Sequence, residues 1–309
     1  MQAFLFPGQG SQYAGMAADL ADRFPEAREV VGRADAALGF SLSEIMFSED
    51  GAERLRQTEI TQPALYVHSL AAHAVLARLG KSADVAAGHS LGEWSALAAM
   101  GAMSLEDGLL AVRRRGELMA QAGDVRPGTM AAVLGMDAAD LERICEDTTE
   151  AGEGVVVPAN YNDPGQIVIS GDGPAVERAS AMASEAGARR VVPLPVSGAF
   201  HSPLMAFAGE GLAATLETLS LSAPRVPVVL NVTAEPTTDP ETIRAKLLEQ
   251  LTSPVRWAQS LEAMQGMGVE RFVEVGAGKV LAGLAKRTLG RQTETATAGK
   301  ADEIEALAA

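Results

Sequence analysis

Val85-Ala86-Ala87-Gly88-His89-Ser90-Leu91-Gly92-Glu93-Trp94 is the stretch from which this chain is read. Val85-Ala86-Ala87 suits a short buried strand, and a helix follows from about Ser90 to Met100. Between them stands Gly88-x-Ser90-x-Gly92, the pattern of a nucleophile elbow. Two glycines permit a sharp turn with close packing around it, and the turn exposes the serine oxygen. The helix then aims free backbone N–H groups and its positive dipole end at that oxygen. A glycine-flanked serine that only caps a helix would show the same five residues. The strand before and the helix after favour the elbow.

Outward from this stretch, Phe4-Leu5-Phe6-Pro7-Gly8 reads as a second short buried strand ending in a loop. Thr61-Gln62-Pro63 opens a long helix that stops at Gly80, with Thr61 as its N-cap and Pro63 in its first turn. Ser104-Leu105-Glu106-Asp107 starts a third helix, in the manner of a capping box, which ends near Gly123. After Pro127 the pattern changes: strand 129–134, helix 138–148, strands 154–159 and 166–170, helix 174–186 and strand 190–194. That order, βαββαβ, is the ferredoxin-like unit. Arg271-Phe272-Val273-Glu274-Val275-Gly276 is a further strand, with a helix from about Val280. The Thr/Ala-rich tail from Arg291 shows no role. The picture is an α/β domain interrupted by a ferredoxin-like insert.

Composition narrows the function. A chain of 309 residues can bury a large core without disulfides, and its single cysteine, Cys145, allows none within the chain. The N-terminus lacks the basic and apolar regions of a signal peptide, and no apolar run is long enough to span a membrane, so a cytoplasmic protein is expected. The net charge of −15 argues against nucleic acid, which needs a basic face. Gly8-Gln9-Gly10 is no dinucleotide fingerprint, because Tyr13 stands where glycine is needed. Gly276-Ala277-Gly278-Lys279 lacks the rest of a phosphate loop, with Val273 and Val280 at the deciding positions. Acids flank Cys145 and disfavour a thiolate. No His/Cys cluster has metal-ligand spacing, and no cofactor is expected.

A serine nucleophile needs a general base, and the chain has four histidines. His68 and His73 fall inside the first long helix and read as surface or core-edge residues. His89 adjoins Ser90, and neighbouring side chains at an elbow diverge. His201, in the loop Ser197-Gly198-Ala199-Phe200-His201-Ser202-Pro203, is left as the candidate; the alternative is a histidine capping the helix that starts near Pro203. Among Arg113-Arg114-Arg115, only Arg115 has entirely apolar neighbours one turn away: Ala111, Val112, Leu118 and Met119. It is expected to point inward, and Arg113 and Arg114 to face water.

Four motifs in order then resemble one family. They are Phe6-Pro7-Gly8-Gln9-Gly10-Ser11-Gln12, Gly88-His89-Ser90-Leu91-Gly92-Glu93, Gly198-Ala199-Phe200-His201-Ser202 and Glu274-Val275-Gly276-Ala277-Gly278-Lys279-Val280-Leu281. The chain, over roughly residues 2–290, resembles the acyltransferases that load malonyl groups in type II fatty acid synthesis, with polyketide-synthase acyltransferase domains as close relatives. The resemblance implies a hydrolase-like α/β domain with a parallel sheet core (residues 1–126 and 198–309) and an inserted ferredoxin-like subdomain (residues 127–197). It implies transfer of malonyl from malonyl-CoA to the phosphopantetheine thiol of acyl carrier protein, by a ping-pong route through an ester on Ser90. It makes His201 the base, has Gln250 orient it by a hydrogen bond, and builds the oxyanion hole from the N–H groups of Gln9 and Leu91. Arg115 would grip the malonyl carboxylate, and Phe200 would narrow the pocket as in malonyl-selective relatives. His89 and Met119 complete the expected substrate site. Asn160 and Asn162 either line the cleft or are ordinary turn residues.

An acidic enzyme with an acidic carrier protein as partner needs a local basic dock. Arg189-Arg190 and Lys286-Arg287 are candidates, though surface solubility would explain them equally. A monomer is expected. Two other classes stay open on the residues alone: a Ser-His thioesterase or esterase, and a non-catalytic carrier-protein or CoA-binding module.

Overall fold

The computed structural model describes residues 1–196 and 198–308. Among the described residues ten strands follow in chain order: β1 (Gln2–Phe6), β2 (Val85–Gly88), β3 (Thr129–Leu134), β4 (Val156–Asp163), β5 (Gln166–Gly171), β6 (Arg190–Pro193), β7 (Val228–Val229), β8 (Pro236–Thr237), β9 (Arg271–Val275) and β10 (Glu294–Ala298). They form two sheets. The larger has the order β10-β9-β1-β2-β7-β8 and is parallel except for β8.

Strand β1 shows why this sheet is buried on both faces. Side chains alternate across a strand. Phe4 and Phe6 enter one hydrophobic cluster, with the Thr58–Arg78 helix, while Ala3 and Leu5 enter another, with Trp257 and Leu261. Each buried phenylalanine contributes about 1.5–3 kcal/mol. The register sets Phe6 beside Gly88, so the loops leaving β1 and β2 emerge together. In an open parallel sheet such C-terminal strand ends are where ligands bind.

The smaller sheet is antiparallel with the order β4-β5-β3-β6. Helices Ala138–Glu150 and Gly173–Glu185 cover one face through Leu141, Ile144, Val176 and Ala179. This is the ferredoxin-like arrangement expected for the insert. The last insert position in the sequence reading, Ser197, lies outside the described residues.

Four expectations need correction. The long helix begins at Thr58, not near Pro63. Thr61 is inside it and spends its hydroxyl on the carbonyls of Leu55 (2.6 Å) and Gln57 (3.0 Å) instead of capping. Pro63 is a full turn in, where its missing N–H leaves one carbonyl of the first turn unused. The helix does end as expected: Gly80 has φ 71°, and Lys81 N–H and Gly80 N–H close back on Leu76 and Ala77. Strand β4 runs on to Asp163, so Asn160 and Asn162 are strand residues, and the turn falls at Pro164-Gly165. His68 is fully buried and bonds the Gly299 carbonyl at 2.8 Å. The tail has a role: β10 extends the parallel sheet, and the Ala301–Ala308 helix packs Ile304 into the core.

Candidate active site

At the elbow, backbone approach dictates the glycines. A Cβ at Gly88 would stand 1.9 Å from Gly92 carbonyl atoms, and one at Gly92 would stand 1.9 Å from the Phe6 carbonyl oxygen. Ser90 sits at φ 51°, ψ −106°. That conformation costs a non-glycine residue about 1–3 kcal/mol, held in place by its surroundings. Leu91 is the first residue of the Leu91–Ala99 helix, so its N–H has no intrahelical acceptor.

His201 also has positive φ, 58°. Its Nε2 lies 2.8 Å from Ser90 Oγ and its Nδ1 lies 2.9 Å from the backbone carbonyl of Gln250. A carbonyl only accepts, so Nδ1 carries the proton and Nε2 offers its lone pair to the serine. Ser202, not His201, caps the turn that follows, by accepting from Leu204 N–H at 3.3 Å. Burial, reinforced by the Arg115 charge, pushes the imidazole down to about 3, so it is a neutral base at physiological pH.

Gln250, expected to orient His201 by a hydrogen bond, meets it through its backbone carbonyl. Its side chain accepts from Arg115 Nη2 at 3.0 Å and donates to the Ser90 carbonyl at 3.1 Å. This backbone acceptor stands at Nδ1, where a Ser-His-Asp triad has its carboxylate.

Arg115 is 1% exposed, while Arg113 and Arg114 share Glu117 at the surface, as their neighbours predicted. Arg115 Nη1 donates to Gln62 Oε1 at 2.8 Å, and Nη2 reaches Ser90 Oγ at 3.1 Å as well as Gln250. Nε has no acceptor among the described residues. All three acceptors are neutral. Burial pulls the guanidinium down to about 10, which still leaves it charged at pH 7.

A cavity of about 110 Å³ opens over Ser90. Gln9, His89, Met119, Asn160, Phe200 and His201 line it, and the insert closes its far side with Met130, Leu194 and Val196. His89 turns away from the nucleophile, as expected, packing on Trp257 and bonding Asn162 Oδ1 at 2.8 Å. Asn162 therefore holds the cavity wall without lining it. Beside it β4 is tied to the segment that leads into the Trp257–Gly266 helix by backbone bonds from Tyr161 N–H to Val255 and from Val255 N–H to Ala159.

Sequence reasoning missed Gln62, Met130, Leu194, Val196 and Asn231. Asn231 follows β7 as Ser90 follows β2, at the C-terminal edge of the sheet, and that placement was the available signal. Of the basic candidates, Arg189, Arg190 and Lys286 are exposed and form no ion pair among the described residues. Arg287 instead pairs through Nε with Asp163 at 2.6 Å. Arg190 lies beside Leu134 in the register, four residues along β3 from Met130, or about 13 Å. No helix among the described residues is long and apolar enough to cross a membrane.

Known proteins resemble this chain along nearly its whole length. The acyl transferase domain family matches residues 3–304. The chain is 46% identical over 303 residues to the malonyl CoA-acyl carrier protein transacylase of Bacillus subtilis, covering 98% of this chain and 95% of that protein. It superposes on the solved transacylase of the same name from Coxiella burnetii with TM-score 0.95 at 39% identity, covering 99% of this chain and 96% of that one. It also superposes, at TM-score 0.93 and 38% identity, on a malonyl-transacylase solved in complex with its type II polyketide-synthase acyl-carrier protein; the match covers 98% of this chain and 97% of that one.

Proposed function

The chain belongs to the acyl transferase domain family, and we propose that it moves a malonyl group from malonyl-CoA to the phosphopantetheine thiol of an acyl carrier protein through an ester on Ser90. One observation carries the reading. Ser90 Oγ is held at once by the base His201 Nε2 at 2.8 Å and by the buried cation Arg115 Nη2 at 3.1 Å.

Each step uses this chain's own groups. Ser90 Oγ attacks the thioester carbonyl while His201 Nε2 takes its proton. The N–H groups of Leu91 and Gln9 stabilise the tetrahedral oxyanion; one such donor is worth about 10²–10³ in rate. The intermediate collapses, the C–S bond breaks, and the CoA sulfur leaves with the proton from His201. The pantetheine thiol then gives its proton to His201 and attacks the ester carbonyl. Ser90 leaves and recovers the proton.

Arg115 supports malonyl over an uncharged acyl group. A buried guanidinium whose hydrogen-bond acceptors are all neutral, and whose nearby carboxyl Glu93 is pushed by burial towards its uncharged form, lacks a bonded counter-charge, and a carboxylate would supply it with charge-assisted, two-point bonds. Esterification removes the Ser90 hydroxyl from competition for Nη2. Phe200 and the insert side chains then limit branching next to the carbonyl. A plain esterase gains nothing from this cation. Arg189, Arg190 and Lys286 are the proposed dock for the acidic carrier, acting with a monomeric enzyme.

The test is incubation with labelled malonyl-CoA followed by carrier protein. Label is expected on Ser90 and then on the carrier. Label lost only to water would make the protein a thioesterase, and no covalent label would make it a binding module.

A further inference from the structure

Asn231 has no place in the chemistry just described, yet it touches all three legs of the elbow. Its Nδ2 donates to the carbonyl of Gly88 at 2.7 Å, at the end of β2. Its Oδ1 accepts from the N–H of Ser90 at 2.7 Å. Its own backbone N–H donates to Glu93 Oε2 at 2.6 Å, on the helix beyond. Gln250 Nε2 adds a longer contact to Oδ1 at 3.4 Å. Asn231 and Glu93 are both fully buried.

Ser90 needs such a staple. At φ 51°, ψ −106° its backbone is in a region that L-residues avoid. Unbonded, its N–H would be a buried orphan donor. A short amide side chain is the group that can give and accept on adjacent peptide units at once. The anchor is equally specific. Glu93 is the acid of Gly88-His89-Ser90-Leu91-Gly92-Glu93, and its Oε1 has no partner among the described residues. Its other oxygen fixes the main chain of Asn231, which fixes the amide.

We infer that Asn231, anchored by Glu93, is a positioning residue that holds Ser90 Oγ on the line between His201 Nε2 and the acyl carbonyl. The inference rests on Ser90 being the nucleophile, as proposed above, but not on the identity of the acyl group. It assigns the Ser90 N–H to the fold, leaving Leu91 and Gln9 to supply the oxyanion donors. It also gives Glu93 a role that needs no charge. Its bond to Asn231 N–H uses only an accepting oxygen, and burial lifts the carboxyl to about 8 against the pull of the Asn231 N–H, the Gln250 side chain and the Arg115 charge.

The experiment measures Ser90 modification by diisopropyl fluorophosphate, followed by mass, alongside steady-state malonyl transfer per folded enzyme. The phosphorylation reads the nucleophile without reference to malonyl. Asn231→Ala is expected to slow it about 10–100-fold and to lower kcat in parallel, with KM for malonyl-CoA within about twofold, because the pocket is untouched. Glu93→Gln, which keeps an accepting oxygen, should stay within about threefold of the native rate. If Asn231→Ala does not fold, Asn231→Asp takes its place; it keeps the acceptor, loses the donor to Gly88, and should slow phosphorylation about tenfold. Native phosphorylation rates in either Asn231 variant would overturn the staple. So would a loss carried by KM alone, or a Glu93→Gln rate as low as that of Asn231→Ala. Native protein that is phosphorylated but takes no malonyl would leave the staple standing and sink the proposed substrate. Failure of native protein to be phosphorylated would sink the activated nucleophile itself.

Discussion

The two sheets contribute different things to one cavity. The parallel sheet and its loops hold the polar groups: Ser90, His201, Arg115, Gln250 and Asn231, all on or beside the C-terminal ends of β1, β2 and β7. The antiparallel insert faces them chiefly with Met130, Leu194 and Val196. Parallel strands end together, so their loops and helix N-termini converge on a point and can hold strained, bonded groups in fixed geometry. An antiparallel sheet presents a broad face, suited to closing a cavity and setting its shape. In the proposed reading the bonded polar groups and much of the cavity's apolar shape thereby come from different regions, and each can be broken without the other.

The largest effect belongs to the parallel sheet. Ser90→Ala and His201→Ala should each reduce malonyl transfer by at least about 10³-fold, without loss of malonyl-CoA binding. Rapid-quench labelling and equilibrium titration check the two halves of that statement. Appreciable turnover in either variant would move the chemistry elsewhere. Next comes Arg115→Ala. Loss of a buried charge-assisted pair costs about 1.5–3 kcal/mol, so preference for malonyl over acetyl should fall roughly 10–100-fold. Competition between the two CoA esters measures it, and an unchanged ratio would remove Arg115 from selection.

The pH profile sharpens the same side. His201 titrates at about 3 in the fold and near 6.5 in a free chain. As a base it stays neutral down to acid pH, so kcat/KM for malonyl loading should show no limb at 6.5 and hold nearly level to about pH 5. Stability moves differently. Between those two values the unfolded chain binds a proton that the fold refuses, so His201 takes stability away as pH falls from 6.5 towards 3. His73, pushed down by burial to about 4, acts in the same direction. Glu93 and Glu274, lifted by burial to about 8 and about 7, act the other way, so thermal melts of His201→Ala against native protein from pH 4 to 8, beside the activity profile, isolate the His201 trend.

How much of this was legible follows the same division. The elbow could be read because glycine is the only residue that fits at 88 and 92, so geometry is written directly as residue type. Arg115 could be read because four apolar neighbours leave a helix position no solvent. The insert could be read as a βαββαβ order, but not which of its side chains face the serine, because that depends on packing between two sheets distant in sequence. Asn160 and Asn162 look like turn residues in Asn160-Tyr161-Asn162-Asp163-Pro164-Gly165, and only the pairing of β4 with β5 and Val255 keeps them extended. Gln250 shows the limit most clearly. The residue could be named from its motif, yet the group beside His201 Nδ1 is a carbonyl that every residue has. Asn231 stayed hidden because β7 has two residues, too few to declare a strand end.

A smaller effect is expected from the insert. Met130 is buried and lines the cavity, so Met130→Ala adds space without touching a polar group. Use of methylmalonyl relative to malonyl should rise roughly tenfold, the scale of one branch in an apolar pocket, with the pH profile unchanged. A changed pH profile would show that the insert also tunes the base, and the separation of shape from chemistry would fail.

The smallest effect lies at the joint between the two regions. Arg287, on the Val280–Leu289 helix, reaches across to Asp163 at the end of β4. The arginine side chain is 53% exposed, so water screens the pair, and the 6% exposed Asp163 side chain keeps its bond from Gly165 N–H when the pair is cut. With an exposed partner the net worth is below about 1 kcal/mol, and Arg287→Ala should lower Tm by about 1–2 °C with malonyl loading unchanged. The same variant weighs two roles for this residue. The Arg287 guanidinium is held by Asp163, whereas Arg190 and Lys286, in the proposed dock, form no ion pair among the described residues. KM for carrier protein should therefore rise several-fold in Arg190→Ala or Lys286→Ala and less in Arg287→Ala. A larger rise in Arg287→Ala, with Tm unmoved, would mean that Arg287 leaves Asp163 when the carrier docks and that the joint itself is part of the docking surface.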